Sequence, residues 1–598
     1  MILDHVSTAL MTLVVGLLAI LLGALVGVRR PSVALAAGWG IAVIVLTLGG
    51  TLTGIGLTRF LAGLGILAFC GIFRWHRLHW RYALPVLVLG IPYLLIASSV
   101  TPAGYDGYST WLPNILYLVR FDHFPSLAGV QSVSIRPGYP YGMAFVGLSV
   151  SRLTSHLAET AVINWNALLD LAVAALACEG ISIQTAGAYR WRAAALSVLF
   201  CGVLSPAFVA KLYLSNYGDA VTGEIAAIIC GAILLEGFGE VGAAGGFVIG
   251  LAAAALVAIR QDSFSILAII LIAWATIELF HARGRIKLSR LVPLLSAIPA
   301  PALTWWLWHH YTATQIPGGA ASILPWAAWR WNDLPDICGS MLWVLLQKSG
   351  YTITLIVGAG VGIFGWNQPK RRREAGLFAA LIGIGHAFSM VGVYLAVVTG
   401  GETVKVAPEF WRFIQHVAPA VVLSTLLSLP LGRIAAQASL RYLPLVAVLI
   451  EFGSIPFLRL DIPRNHQFSY SKLREIAKSI AKTLPQHAHI ALVETNAQPG
   501  EIPEIFPIRY RLLTLRPGIR PQDLVLVAGS PPKRVILAAA LPRIVDFTGL
   551  PSDINYIWVA NGGAVASRVV GQAIPSGKSE LLQRKGGHFV EVSSWIRP

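Results

Sequence analysis

The sequence predicts a polytopic α-helical membrane protein of about 12–14 spans that ends in a small extracytoplasmic α/β domain. Three observations lead there. Of 598 residues, 56% are hydrophobic and 12% charged, against roughly 25% charged in soluble domains. The mean hydropathy is +0.69, which excludes both an ordinary soluble enzyme and a disordered chain. The charge is also uneven: residues 1–457 hold 27 Lys+Arg and 18 Asp+Glu, whereas residues 458–598 hold 18 and 10 in under a third of that length. The chain therefore divides into a transmembrane domain, 1–457, and a soluble domain, 458–598.

Apolar runs long enough to cross a bilayer, about 20 residues each, fall near 7–28, 32–50, 52–72, 82–99, 158–178, 193–210, 219–237, 245–260, 262–280, 291–311, 341–365, 375–398, 412–432 and 440–457. Seventeen of the 27 basic residues of 1–457 then collect in short loops on one face, at Arg29–Arg30, Arg74–Arg81, Arg190–Arg192, Arg283–Arg290, Lys370–Arg373 and Arg433–Arg441. The positive-inside rule makes that face cytoplasmic. The long loop 100–157, the loops 211–218, 312–340 and 399–411, and the C-terminal domain are then expected outside. The apolar stretch 141–157 is too short to span and reads as a helix along the outer interface. In the C-terminal domain, Leu473, Ile476, Ala477, Ile480 and Ala481 give an amphipathic helix over 471–483. Strands are expected at 489–494, 510–515 and 524–528, hence a small α/β module. The net charge of +17 follows from the basic loops, and no nucleic-acid motif accompanies it. The five cysteines show no metal-ligand spacing.

Ionisable residues in so apolar a chain mark functional or paired positions, and four clusters gather at the outward span ends. The first loop reads Tyr105-Asp106-Gly107-Tyr108-Ser109-Thr110-Trp111. Asp106, directly after a span and among aromatics, suits a general base, and Tyr105, Tyr108, Trp111, Tyr139 and Tyr141 offer faces on which sugars stack. An interfacial aromatic belt accounts for those rings equally well. Next comes Lys211 to Asn216-Tyr217-Gly218-Asp219, where Asp219 is either catalytic or a helix cap. The third cluster, Arg260-Gln261-Asp262, occupies a hairpin tip. The fourth is Glu402, Lys405, Glu409, Arg412 and His416; its last four share a helical spacing, and its cations suit a lipid phosphate. Asp106, Asp122, Asp219, Asp262 and Glu402 are candidate oxygen ligands for a divalent cation, although no spacing requires one.

The order of these pieces resembles the GT-C superfamily of membrane glycosyltransferases, among them the protein O-mannosyltransferases and the aminoarabinose, arabinofuranosyl and galacturonosyl transferases. The resemblance rests on the Asp106 loop with Tyr139-Pro140-Tyr141-Gly142, on Asn216-Tyr217-Gly218-Asp219, on Arg260-Gln261-Asp262 in the place of a Lys-x-Glu element, and on Arg412 at a span entry. The resemblance implies an inverting transferase of a bacterial inner membrane with a periplasmic C-terminal domain. It would move a sugar from a polyprenyl-phosphate donor to a glycan, lipid or protein acceptor of the cell envelope. Arg412, Lys405 and Lys211 would meet the donor phosphate and Asp106 would deprotonate the acceptor. Tyr105, Tyr108, Trp111, Tyr139, Tyr141, Asn216, Asp219, Arg260, Asp262 and Glu402 would line the substrate site. Where relatives carry two adjacent acids in the first loop, Gly107 follows Asp106, so a metal is not implied with certainty. The alternative is a membrane transporter or lipid flippase, which also places ionisable groups in an apolar chain.

Overall fold

The computed structural model describes residues 2–596 apart from 103–105, 131, 203, 282–287, 317–323, 397–404, 463–467, 487, 495–504, 517–518, 520–523, 529–553, 561–566, 568–569, 571–572, 576–577 and 586–587. Among the described residues eight helices are long and apolar enough to cross a membrane: Asp4–Leu25, Pro31–Leu52, Leu57–Arg77, Ala161–Ile183, Gly218–Glu236, Ser263–Phe280, Arg290–Gln315 and Lys370–Ala396. Three bent pairs, Trp80–Leu89 with Ile91–Ser99, Trp331–Gln347 with Ser349–Phe364, and Phe410–His416 with Ala418–Ser428, raise the number to eleven. Two shorter apolar helices, Ala243–Val257 and Leu443–Ser454, accompany them. The chain is a multi-pass membrane protein.

Several expected crossings differ: 82–99 and 412–432 are bent, by 54° and 55°, and two others depart further. The run 193–210 forms only the twelve-residue helix Arg190–Cys201, about 18 Å long, because Gly202 and Pro206 interrupt it. The run 341–365 is no single rod: its two helices meet at Lys348 at an angle of 94°.

The chain forms two compact units that do not follow its linear order. The first comprises Met1–Thr101, Tyr139–His310 and Ala320–Leu458, and the second gathers Pro102–Gly138, Tyr311–Gly319 and Arg459–Pro598.

In the first unit, helices Ala161–Ile183 and Gly218–Glu236 are buried along almost their whole length and form the centre of the bundle. Both carry apolar residues around their whole circumference, as a helix surrounded by other helices does, with a few buried polar side chains among them. Close helix contacts are made through small residues. A Cβ on Gly38 would stand 1.8 Å from the carbonyl oxygen of Ala19, and one on Gly40 would stand 1.8 Å from that of Leu251. Helix Gly142–Thr154 occurs where a helix along the outer interface is expected, but Gly142 to Ser151 are buried in succession. Gly142, Ala144, Gly147, Ser149 and Ser151 let the bundle close over it, so it presents no broad face to lipid.

In the second unit, five strands, β1 (Ile490–Glu494), β2 (Leu524–Ala528), β3 (Tyr556–Val559), β4 (Lys578–Lys585) and β5 (His588–Ile596), form one sheet in the order β2-β1-β3-β4-β5. β1 is parallel to β2 and β3, while β3, β4 and β5 are antiparallel. Ile490 to Val493 of β1 are apolar and buried on both faces, as interior parallel strands are, and Ala491, Val493, Ile557, Val559 and Leu582 share one core. The strand expected at 510–515 is instead part of helix Ile505–Leu515. Phe506, Arg509, Tyr510 and Leu513 are all buried, at the three- and four-residue spacing of a helix face, and this helix packs on Phe468–Thr483.

The first loop belongs to the same unit as the tail. Arg474 donates from Nη2 to the hydroxyl of Tyr108 (2.9 Å) and to the carbonyl of Pro102 (2.7 Å). Arg120 donates to the carbonyl of Ile519 at 3.0 Å, and Tyr108 meets Tyr510 edge to face at 5.6 Å.

The Gly38 contact sets a test of the bundle. Gly38→Leu is expected to destabilise it by about 1–3 kcal/mol or more, the usual cost of overpacking. Gly63→Leu, where nothing lies within 4 Å of the added Cβ, should leave the melting temperature of the detergent-solubilised protein near wild type.

Candidate functional site

Asp219 begins the first turn of helix Gly218–Glu236 and is fully buried. The hydrogen bonds of its side chain run to side chains of other segments, so the capping role open to it in the sequence is not the one it takes. Its carboxylate instead receives three donors. Oδ1 accepts from Arg260 Nη1 at 2.8 Å and from His416 Nε2 at 2.9 Å. Oδ2 accepts from Arg412 Nε at 2.8 Å. Arg260 also donates from Nε to Asp262 Oδ1 at 2.9 Å, and His416 Nδ1 lies 3.8 Å from Asp262 Oδ2. Glu409 stands at the rim, 3.5 Å from Arg412 Nη1. Three of the four sequence clusters thus meet in one network.

Local packing produces this convergence. Gly223, one turn into the Asp219 helix, allows the segment Phe410–His416 to lie directly against it, since a Cβ there would stand 2.1 Å from the carbonyl oxygen of Gln415. That approach carries Arg412 and His416 onto Asp219. Asn216 Nδ2 donates to the carbonyl of Glu159 at 3.0 Å. Asn166 Nδ2 donates to the carbonyls of Tyr213 and Ser215 at 3.2 and 3.0 Å. Together they fix the turn that enters the helix. Arg260 lies 6.0 Å from the ring centroid of Tyr139 and 5.7 Å from that of Phe413, and Arg412 lies 4.7 Å from Tyr217. These rings cover the guanidinium groups by cation–π contact.

Electrostatics follow from this packing. Two aspartates face two arginines, so the core of the network is neutral without counting His416, and each buried charge has a partner. Burial pushes the Asp262 carboxyl upward, but the Arg260 guanidinium and then His416 outweigh it and hold it below the usual carboxylate range. With both oxygens of Asp219 committed to cationic or hydrogen-bonding donors, this carboxylate is a fixed counter-charge and a poor proton acceptor. Among the described residues no three His, Cys, Asp or Glu side chains are grouped to hold a metal; Asp219 accepts from Arg260, Arg412 and His416, and Glu402 lies outside the described residues.

The remaining expected residues lie as follows. Asp106 is half-buried at the start of the turn Gly107–Trp111 in the second unit. Tyr108, Trp111 and Tyr141 are buried, the last against Trp308 at 5.2 Å, whereas Tyr139 is half-buried. Lys405 Nζ is 3.7 Å from Asp333 Oδ1. Tyr105 and Glu402 lie outside the described residues. Lys211 stands over the indole of Trp411, 4.6 Å from its ring centroid, and Lys348 reaches the same ring at 5.4 Å. Among the described residues neither lysine meets a carboxylate.

Sequence reasoning missed Lys348, Trp411, Asn166 and the stacking of His386 on His416 at 6.2 Å. Lys348 was the most legible of these, as a lysine inside an apolar run. It also missed Asp170 and Glu451, which with Glu224 lie buried in apolar helices, both Glu224 oxygens lacking a hydrogen-bond partner among the described residues.

No known family profile matches the chain, and no curated protein is detectably similar in sequence. Among solved structures, the oligosaccharyltransferase of Archaeoglobus fulgidus, crystallised in complex with zinc and sulfate, is similar at 12% identity with a TM-score of 0.36. The alignment covers 86% of this chain and 74% of that one. A likeness of that size equates no residue of the two proteins.

The network sets a second test. Asp219→Asn leaves buried guanidinium groups without their counter-charge and is expected to lower stability by about 3–5 kcal/mol, the usual cost of breaking a buried pair. Adding Arg412→Gln should recover part of that loss, because neighbouring sites are not additive. Thermal unfolding of the three variants checks both.

Proposed function

We propose that the chain is an integral-membrane, inverting glycosyltransferase of the GT-C type, taking its sugar from a polyprenyl-phosphate donor. The acceptor is a glycan, lipid or protein of the cell envelope, on the face opposite the basic loops. The observation that carries this reading is the meeting of Asp219, Arg260 and Arg412. They come from three separate elements on which the sequence resemblance rests, and the contact distances make them one construction.

In this reading the network is a rigid, charge-balanced wall that holds its segments in place. The cations left to receive the donor phosphate are then Lys211 and Lys348 on Trp411, with Lys405 as a further candidate, whereas Arg412 is committed to Asp219. Asp106 takes the proton of the acceptor hydroxyl. The oxygen attacks the anomeric carbon as the bond from that carbon to the phosphate oxygen breaks, and the electron pair leaves on the phosphate. Ammonium groups stabilise that developing charge. A single displacement inverts the anomeric centre.

The buried Asp170, Glu224 and Glu451 favour a second reading, a transporter or lipid flippase, since carboxyls deep in apolar helices line transport paths. Transport of the same polyprenyl-phosphate sugars without cleavage would support it.

The test is turnover by the purified protein in nanodiscs, following release of polyprenyl phosphate from a panel of polyprenyl-phosphate sugars. Wild type is expected to release it and Asp106→Asn to lose release at unchanged melting temperature. Lys211→Ala and Lys348→Ala should each raise KM for the donor by roughly tenfold, a charge-assisted contact apiece, with little change in kcat. Absence of release by wild type across the panel overturns the proposal.

A further inference from the structure

A second site is built into the first unit at the turn between its first two helices. The chain leaves Ile2–Leu25, turns through Gly27 at φ +89° and enters Pro31–Leu52. A cavity of about 400 Å³ opens there, lined by Gly27, Arg29, Arg30, His79, Glu236 and Gly245 among others. It shares no residue with the network around Asp219.

The charges in this cavity are unequally committed. Arg30 is a structural bridge: Nε donates to Glu179 at 2.9 Å, Nη1 is 3.5 Å from Glu236, and Nη2 donates to the carbonyl of Leu235 at 3.4 Å. Glu236, the cavity's one lining carboxylate, is therefore spoken for by Arg30. Arg29 is exposed, and among the described residues neither it nor His79 has a carboxylate partner. The backbone fixes them together, since His79 N–H donates to the carbonyl of Arg29 at 2.8 Å. Arg74 adds a second guanidinium, with Nη1 4.0 Å from the position a Cβ on Gly27 would take. The cavity thus carries uncompensated positive charge and asks for an anion.

The neighbouring short helix shows at what depth it lies. Gly71–Arg77 interleaves Arg74, His76 and Arg77 with Ile72, Phe73 and Trp75, which are 50%, 82% and 39% exposed. Exposed aromatic side chains among cations are the signature of the headgroup layer, where a ring sits in the acyl boundary and a guanidinium in the polar zone. Two apolar spans end at the same turn. A basic pocket between helix ends at that depth suits a lipid headgroup, and Arg matches phosphate with paired donors.

We infer that this cavity binds the phosphate of an anionic phospholipid headgroup, through Arg29 and His79, at the membrane face that carries the basic loops. The phosphate enters as part of a lipid, since the exposed rings of Phe73 and Trp75 place the cavity mouth beside acyl chains.

The test uses the full-length, delipidated protein in neutral detergent, titrated with dioctanoyl phosphatidylglycerol and separately with glycerol 3-phosphate. The wild type is expected to bind the lipid. The double variant Arg29→Gln/His79→Gln should bind it roughly tenfold more weakly or worse, as loss of charge-assisted contacts predicts, at an unchanged melting temperature. Val248→Trp, which fills the cavity without altering its charge, should weaken binding similarly. Equal lipid affinity of wild type and both variants overturns the site. Binding of glycerol 3-phosphate as tight as that of the lipid overturns its assignment to the membrane.

Discussion

A carboxylate placed at zero exposure in an apolar bundle must either lose its charge or be surrounded by donors, because desolvation costs several kcal/mol per ion. Asp219 takes the second course. Arg260 and His416 hold one oxygen and Arg412 the other, and these donors come from two stretches of chain remote from Asp219 in sequence. The helix Gly218–Glu236, the turn before Ser263–Phe280 and the segment Phe410–His416 are therefore fixed by a single acidic group. If any one shifts, an ion is stranded in an apolar interior. Such a hub rewards one arrangement of helix ends and penalises its neighbours.

The surrounding bundle supplies what the hub requires by subtraction of side chains. Gly223 allows a backbone carbonyl where a Cβ would otherwise be, and that single absence decides whether Arg412 reaches Asp219. Elsewhere Gly38 and Gly40 do the same between helices. Lipid tails are as apolar as leucine, so burial alone gives helices little reason to associate in a membrane; close packing and satisfied polar contacts do.

Much of this was legible in the sequence, and what was not has physical causes. The apolar runs fall where helices stand, because a span must be about 20 residues long and charge is excluded from it. Bends are different. Composition along 341–365 is uniform, so the right angle at Lys348 left no trace except the lysine itself. Between 510 and 515 a short apolar run was compatible with either period; packing of Tyr510 and Leu513 on the preceding helix selected the α form. The members of the ion network were each visible as charges at span ends. That they form one network was not, since Arg412 is 193 residues from Asp219 and periodicity says nothing about which helix ends meet. The lysine pair on Trp411 was hidden for the same reason.

The second unit carries a consequence for how the protein is made. Tyr108 is joined to Arg474 across 366 residues, and Arg120 to Ile519 across 399. Contacts of such separation form late, since loop closure must come first. At roughly 5–20 residues per second of synthesis, the loop that holds Asp106 waits roughly 20–80 s before these partners exist. During that interval Tyr108, buried in the finished protein, lacks its contacts with Arg474 and Tyr510. Nascent or prematurely terminated chains would thus reach the membrane with their bundle formed and this loop unsupported. Assembly of the loop then reports that translation has passed Ile519.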